Sequence, residues 1–214
     1  MQKSEIADLL LKSLPRDLVL GLQDAVYIAA ERASKAAMAS DPGHRATVLG
    51  TQRHWHSNEL FHEVFEANGC NPQKLRGNKI VEGRSGIFTI LRENYCSNKW
   101  NKFFKSQQKK IRISENKRIQ QLVQPDLFDE DGSVTNATVF ILCCYSGSLQ
   151  QQPESPVAIY VTVPSADGKS FLFHEPIGLF LSRYEVAPQQ EDKAVVTLKA
   201  GVIKKIEEND RDGS

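Results

Sequence analysis

Two apolar runs rich in β-branched residues constrain the fold of this chain more than any other feature. They are ATVFILCCY at residues 137–145 and PVAIYVTVP at residues 156–164. Runs of this length and composition are typical of strands buried in a sheet. The apolar segment at 171–175 follows the turn-like residues 166–169, and residues 193–206 have the pattern of a further strand pair. The second half of the chain is therefore predicted to form a largely antiparallel sheet.

The first part of the chain shows the apolar spacing of helices instead. Ser4 is a candidate N-cap for a short first helix, and Pro15 suits the first turn of a second helix that ends near Ala39. Ser57 is predicted to cap a third helix, because apolar side chains at helical spacing follow it. Residues 44–57 show no clear pattern.

Helices followed by strands predict an α+β fold in a single domain. N-terminal helices are expected over about residues 1–70, and a mixed and sheet part over about residues 78–206, with an acidic tail at 207–214. The sheet is expected to be mainly antiparallel, and one long basic amphipathic helix is expected to accompany it. A chain of 214 residues is long enough to bury a core of its own.

The composition limits the compartment and the partners. The formal net charge is +1, so the chain as a whole has no bias toward nucleic acid or membrane. The N-terminus does not have the pattern of a signal peptide, and no apolar run approaches the roughly 20 residues that cross a bilayer. The cysteines show no Cys-x-x-Cys spacing. These features predict a cytoplasmic protein in a reducing compartment, without membrane contact.

Positive charge is concentrated in residues 97–118. This segment contains eight cationic residues and one acidic residue, Glu115, so its local charge is +7. At helical spacing, Trp100 and Phe103 fall on an apolar side and most of the lysines fall on the other. Lysines on one helix face neutralise phosphates with little sequence preference. The residues predicted to contact nucleic acid here are Lys99, Lys102, Lys105, Lys109, Lys110, Arg112 and Lys117. A solvated helix face explains the same pattern.

A second short pattern, Gly83-Arg84-Ser85-Gly86, has the spacing of the GXXG loop with which KH-type modules clamp RNA backbone. The isoleucine that such modules carry three places beyond the second glycine is Thr89 here. A hairpin turn between two strands is therefore favoured. In either case Arg84 is predicted to add a cation beside the basic helix.

The peptide QPDLF at residues 124–128 resembles the short motif by which bacterial DNA polymerases and repair proteins bind the ring-shaped sliding clamp. The resemblance covers five residues and implies that Gln124 makes polar contacts while Leu127 and Phe128 fill apolar pockets of the clamp. Pro125 departs from the apolar residue common at the second place. The alternative is that Leu127 and Phe128 pack on the core of this chain.

Candidate metal ligands occur at His54, His56, Glu59 and His62. Glu59 and His62 have the Glu-x-x-His spacing of di-iron bundles, but the chain has no second copy, so surface or capping histidines are favoured. A nuclease pattern would combine Glu191 and Lys193 with Asp126 or Asp167. Glu191 lies before the predicted strand pair at 193–206 and not within a strand, which argues against this pattern. No P-loop or dinucleotide fingerprint is present, so no cofactor is predicted.

These patterns favour a DNA-associated binding protein of bacterial type over an enzyme. Its expected partners are nucleic acid and, through QPDLF, a sliding clamp. One alternative is an interaction or regulatory module whose basic helix docks on an acidic protein. A further alternative is a metal-dependent hydrolase or nuclease.

Overall fold

The structure is a computed structural model that describes residues 2–96, 106–123, 134–146 and 154–185. Within these ranges six helices and five strands confirm the predicted α+β class. The elements in chain order are α1 (Gln2–Ser13), α2 (Arg16–Met38), α3 (Arg45–Ala67), β1 (Gly83–Ser85), β2 (Phe88–Cys96), α4 (Gln107–Ser114), α5 (Lys117–Val123), β3 (Ala137–Tyr145), β4 (Ala158–Pro164), β5 (Phe171–Pro176) and α6 (Ile177–Ser182).

The strands form one sheet in the order β1-β2-β3-β4-β5. Strands β2 and β3 are parallel, and the other neighbouring pairs are antiparallel. A parallel pair needs a crossover connection, and the chain between β2 and β3 contains α4 and α5. Strands β1 and β2 form a hairpin in which Gly86 has a φ of +54°, as the turn interpretation of this glycine-containing pattern predicted.

Both faces of the sheet are covered by helices along β3, and every residue of this strand is buried. One face packs on the N-terminal helices and α6 in the main core. On the other face Ile113 of α4 packs against Leu91, Phe140 and Leu142. Burial on both faces explains why β3 is a continuous apolar run without alternation.

Helix α3 begins at Arg45, so the prediction that it begins at Ser57 was wrong. Ser57 lies inside the helix, where its buried hydroxyl donates a hydrogen bond of 2.6 Å to the carbonyl oxygen of Arg53. A serine that bonds one turn back in this way is compatible with a helix interior. A Cβ at Gly83 would lie 2.5 Å from the ring of Phe65, so glycine allows β1 to approach α3 this closely.

The basic segment forms two short helices within residues 106–123, where the sequence pattern predicted one continuous helix. The interruption falls at Asn116, whose side chain is fully buried. Its amide nitrogen donates to the carbonyl oxygens of Thr138 and Pro164, at 3.0 and 2.9 Å, and its oxygen accepts from the Thr138 backbone nitrogen at 2.6 Å. These bonds tie the helix break to β3 and β4.

The last described helix, α6, and the residues that follow it are bonded to β5 and to the end of α1. Arg183 forms a two-pronged hydrogen-bonded ion pair with Glu175, at 2.8 and 2.9 Å. The hydroxyl of Tyr184 donates to the carbonyl oxygen of Leu14. None of the helices in the described ranges is long and apolar enough to cross a membrane. The predicted strand pair at 193–206 and the acidic tail at 207–214 lie outside the described residues.

Candidate nucleic-acid interface

A groove of about 520 Å³ separates the loop after α3 from helix α4. The loop side carries charged and apolar side chains, and Leu91 of β2 forms part of the floor. The lining residues are Gln73, Asn78, Lys79, Ile80, Glu82, Leu91, Ser106, Gln108, Lys109, Ile111 and Arg112. We call this surface the α4 groove.

A smaller cavity of about 220 Å³ lies within the same loop. It is lined by the cations Lys74, Arg76 and Lys79 and by no acidic residue. The smaller cavity shares Gln73, Lys79 and Ile80 with the α4 groove, so the two adjoin each other. The positive potential of the loop therefore extends into the groove.

The loop is held in place by α3. The side-chain nitrogen of Asn58 donates to the carbonyl oxygen of Lys79 at 2.9 Å, and Nε2 of His54 lies 3.2 Å from the carbonyl oxygen of Asn78. Burial and the nearby charge of Arg92 lower the pKa of His54, so its ring is neutral at physiological pH. Helix α3, which directly precedes the loop, thus positions this wall of the α4 groove.

The opposite wall is α4, which is held by ion pairs to β2, to the loop before β1 and within the helix itself. Lys109 of α4 contacts Glu93 of β2 at 2.5 Å, and both side chains are largely buried. Arg112 pairs with Glu82 and, at 2.9 Å, with Glu115. Burial raises the pKa of Glu93, and the Lys109 ammonium opposes this rise. Lys109 and Arg112, both predicted to contact nucleic acid, therefore have acidic partners within the chain.

The remaining predicted cations have different surroundings. Lys110 and Lys117 are exposed, as is Arg118 beside them. Arg84 donates to the side-chain oxygen of Asn136 at 2.7 Å and does not line the α4 groove. Lys99, Lys102 and Lys105, and the predicted clamp-binding residues Gln124, Leu127 and Phe128, lie outside the described residues.

Sequence reasoning missed the cations of the loop. Lys74, Arg76 and Lys79 stand in a stretch from Cys70 to Val81 that contains no acidic residue. This local excess of positive charge is the feature of the sequence that could have indicated a cationic surface in the loop. It carries three charges, against seven in the basic segment, and its cations have no helical spacing that would place them on one face.

Of the four candidate metal ligands, His56 and Glu59 lie in contact, and the four do not form a metal site. Among the described residues there is no group of three or more His, Cys, Asp or Glu side chains placed to hold a metal ion. His56 pairs with Glu59 at 3.1 Å, and His62 pairs with Glu66 at 3.5 Å.

The carboxylates of the nuclease pattern are not assembled within the described residues either. Asp167 belongs to the β4–β5 turn, where it accepts from the Ser165 hydroxyl at 2.6 Å, and this bond lowers its pKa. Asp126 and Glu191 lie outside the described residues. The hydrolase alternative therefore has no site in the part of the chain that the structure describes.

The α4 groove and its basic cavity form a concave cationic surface. No protein-family model, curated protein or solved structure matches this chain. Charge and shape are therefore the features that distinguish one partner class from another. A cation-lined concavity complements a polyanion.

Proposed function

We propose that this chain binds the backbone of nucleic acid along the α4 groove. The observation that carries the proposal is the acid-free cavity lined by Lys74, Arg76 and Lys79, which continues into the groove. On the α4 side the groove is lined by Lys109 and Arg112, whose charges are paired with carboxylates, so the loop cations carry the positive potential. Phosphates that approach these cations displace counterions, which provides affinity.

The residue types favour binding with little sequence preference. Lysine is a flexible point charge, whereas base recognition in the major groove relies on the rigid, two-pronged guanidinium of arginine. The one arginine of the basic cavity is Arg76. The proposed contacts therefore position the backbone and do not read bases.

Affinity for a short duplex is expected to fall steeply with added salt. If Lys74, Arg76 and Lys79 each neutralise one phosphate, the log–log slope is about −2.7, a loss of roughly fortyfold between about 50 and 200 mM salt. Fluorescence anisotropy over a salt series measures the slope. Absence of binding to duplex or single strands at low salt would contradict the proposal and favour an acidic protein as the partner of this surface.

The double variant Lys74→Glu/Lys79→Glu is expected to weaken nucleic-acid binding at least about tenfold at low salt and to reduce the salt slope to about a third. Both lysines are exposed, so the fold is expected to survive. The matched control is Lys12→Glu/Lys169→Glu, which changes the net charge equally at exposed positions outside both cavities. Equal affinity of the two double variants would contradict a role for the groove.

Lys109 is unsuitable for this experiment, although it lies in the basic segment. Its ammonium contacts Glu93 at 2.5 Å. A glutamate at this position would meet the Glu93 carboxylate on a largely buried surface and destabilise the fold. Loss of binding by such a variant would not report on the phosphate contact.

We further propose that QPDLF recruits the chain to a sliding clamp through Gln124, Leu127 and Phe128. Helix α5 ends at Val123, and the peptide begins at the next residue of the sequence. Pull-down with a purified bacterial clamp is expected to retain the wild-type chain and to lose Leu127→Ala/Phe128→Ala, because two apolar anchors are removed. Equal retention of both proteins would show that the peptide has no part in clamp binding.

A further inference from the structure

Trp55 is an exposed aromatic residue beside the α4 groove. It lies within α3, and 44% of its surface is exposed. The backbone inside a helix is bonded to itself and covered by side chains, so most of this exposed area belongs to the indole ring. Tryptophan is highly buried on average in folded proteins. Where its ring reaches the surface, it is favoured at contacts with a partner.

A hydrogen bond holds the ring against one wall of the α4 groove. The Nε1–H of Trp55 donates a long bond of 3.5 Å to the side-chain oxygen of Asn78, which lines the groove. His54 and Asn58 hold the same stretch of the loop. Trp55 does not line the groove, so its ring lies at the rim and not inside. The ring and the wall are both ordered by these bonds, which lowers the entropy cost of binding a ligand against them.

The cations of the loop follow the wall that Trp55 contacts. Lys79 comes directly after Asn78 and lines both the groove and the basic cavity, which Lys74 and Arg76 also line. Proteins that bind single-stranded nucleic acid combine cations that track the backbone with aromatic rings on which bases stack. Trp55 and the loop cations provide both parts of this arrangement on one surface.

The charges near Trp55 favour a base over a phosphate at the ring itself. Glu59 lies one helical turn after Trp55, on the same face of α3. Its side chain is half exposed and contacts Nδ1 of His56 at 3.1 Å. A carboxylate repels a phosphate on this side, whereas a base carries no charge and is tolerated. Phosphates are therefore directed to the loop and bases to α3.

We propose that Trp55 stacks on a base of a single strand whose phosphates bind the loop cations. This inference rests on the proposed nucleic-acid function and names single strands as the substrate class of that surface. A duplex keeps its bases paired and stacked, so a base reaches a ring at the rim only after it is unpaired. The bases of a single strand are free to turn toward the ring. The stacking contact is therefore available to a single strand and not to an intact duplex.

Fluorescence anisotropy of the full chain with three DNA probes of equal length tests the contact. The probes are oligothymidine, a strand of abasic sites with the same phosphates, and a duplex. Trp55→Leu is expected to weaken binding of oligothymidine about tenfold, because one base loses its stacking partner. The abasic strand and the duplex are expected to bind the wild type and Trp55→Leu equally. Trp55→Phe keeps an aromatic ring and is expected to stay within about threefold of the wild type.

The matched control is Tyr27→Leu. Tyr27 lies on α2, is 42% exposed and lines neither cavity, so its replacement is expected to leave all three affinities unchanged. Leucine is a good helix former, so both leucine variants are expected to melt at the temperature of the wild type. Trp55→Leu also loses the bond to Asn78. A loop displaced by this loss would weaken binding of all three probes, whereas a lost stacking contact weakens binding of oligothymidine alone.

The outcomes separate the stacking contact from the nucleic-acid function. Equal affinity of oligothymidine for the wild type and Trp55→Leu, with duplex binding still sensitive to salt, would overturn the contact and retain the function. Equal weakening of all three probes would also overturn the contact, because Trp55 would then act by positioning the loop. Absence of binding by every probe at low salt would overturn both proposals and favour an acidic protein as the partner.

Discussion

Replacing Asn116 with alanine is expected to lower the free energy of unfolding by about 3–4 kcal/mol. The Asn116 side chain is fully buried and makes three hydrogen bonds, to Thr138 and Pro164. Alanine leaves two carbonyl oxygens and one backbone nitrogen without these bonds, and unsatisfied buried groups are costly. Urea unfolding followed by circular dichroism measures the change.

The control for this prediction is Gln107→Ala, at an exposed position of α4. It is expected to change the unfolding free energy by less than about 0.5 kcal/mol. Asn116→Asp is a second informative variant, because it keeps the acceptor for the Thr138 nitrogen and loses both donated bonds. A loss below about 1 kcal/mol in Asn116→Ala would mean that these bonds do not stabilise the helix break.

Lys109→Met is expected to cost about 2–3 kcal/mol near neutral pH. The change removes the partner of Glu93, whose side chain is 13% exposed, and leaves its carboxylate without the Lys109 ammonium. The pKa of Glu93 is already raised by burial, and loss of the ammonium raises it further. Unfolding free energies measured from pH 4 to pH 8 report the effect.

The sign of the pH dependence follows from proton uptake. A carboxyl whose pKa is higher in the folded chain takes up a proton on folding between its two pKa values, so stability rises as the pH falls through that window. The deficit of Lys109→Met relative to the wild type is therefore full above the raised pKa of Glu93. It shrinks as the pH falls toward the ordinary carboxyl pKa of 4.5. A deficit that does not depend on pH would contradict this account.

The double variant Lys109→Met/Glu93→Gln separates charge from packing. Glutamine keeps the size of Glu93 and does not ionise, so most of the pH-dependent deficit is expected to disappear. Any deficit that remains measures the lost packing of the Lys109 side chain on the sheet. If a pH-dependent deficit remains in this double variant, it arises from a group other than Glu93.

Local patterns were sufficient where the structural requirement acts on a residue or on its neighbours in sequence. The continuous apolar run of β3 predicted a strand, because both of its faces are buried and every position carries an apolar or small side chain. The glycine-containing pattern before β2 predicted a hairpin, because Gly86 must adopt a positive φ. In each case the physical requirement acts on the residue itself or on its neighbours in sequence.

Patterns failed where a polar side chain makes a different hydrogen bond from the one that its residue type suggests. Ser57 has the chemistry of a helix cap, but inside α3 its hydroxyl bonds one turn back. Asn116 interrupts a helical pattern because its side chain bonds to β3 and β4. Neither partner of Asn116 lies within helical reach along the sequence, so no window of residues around it predicts the break.

The residues of the candidate site also differ in whether their role could be predicted from the sequence. The α+β class and the positions of the cations could be predicted from the sequence, because periodicity and charge are properties of short windows of residues. The tertiary structure was needed to show that Lys109 and Arg112 of the α4 groove have acidic partners, whereas Lys74 and Lys79 line a cavity that has no acidic residue in its lining. The physical reason is that charge is neutralised by contacts in space, and these contacts join elements far apart in the chain.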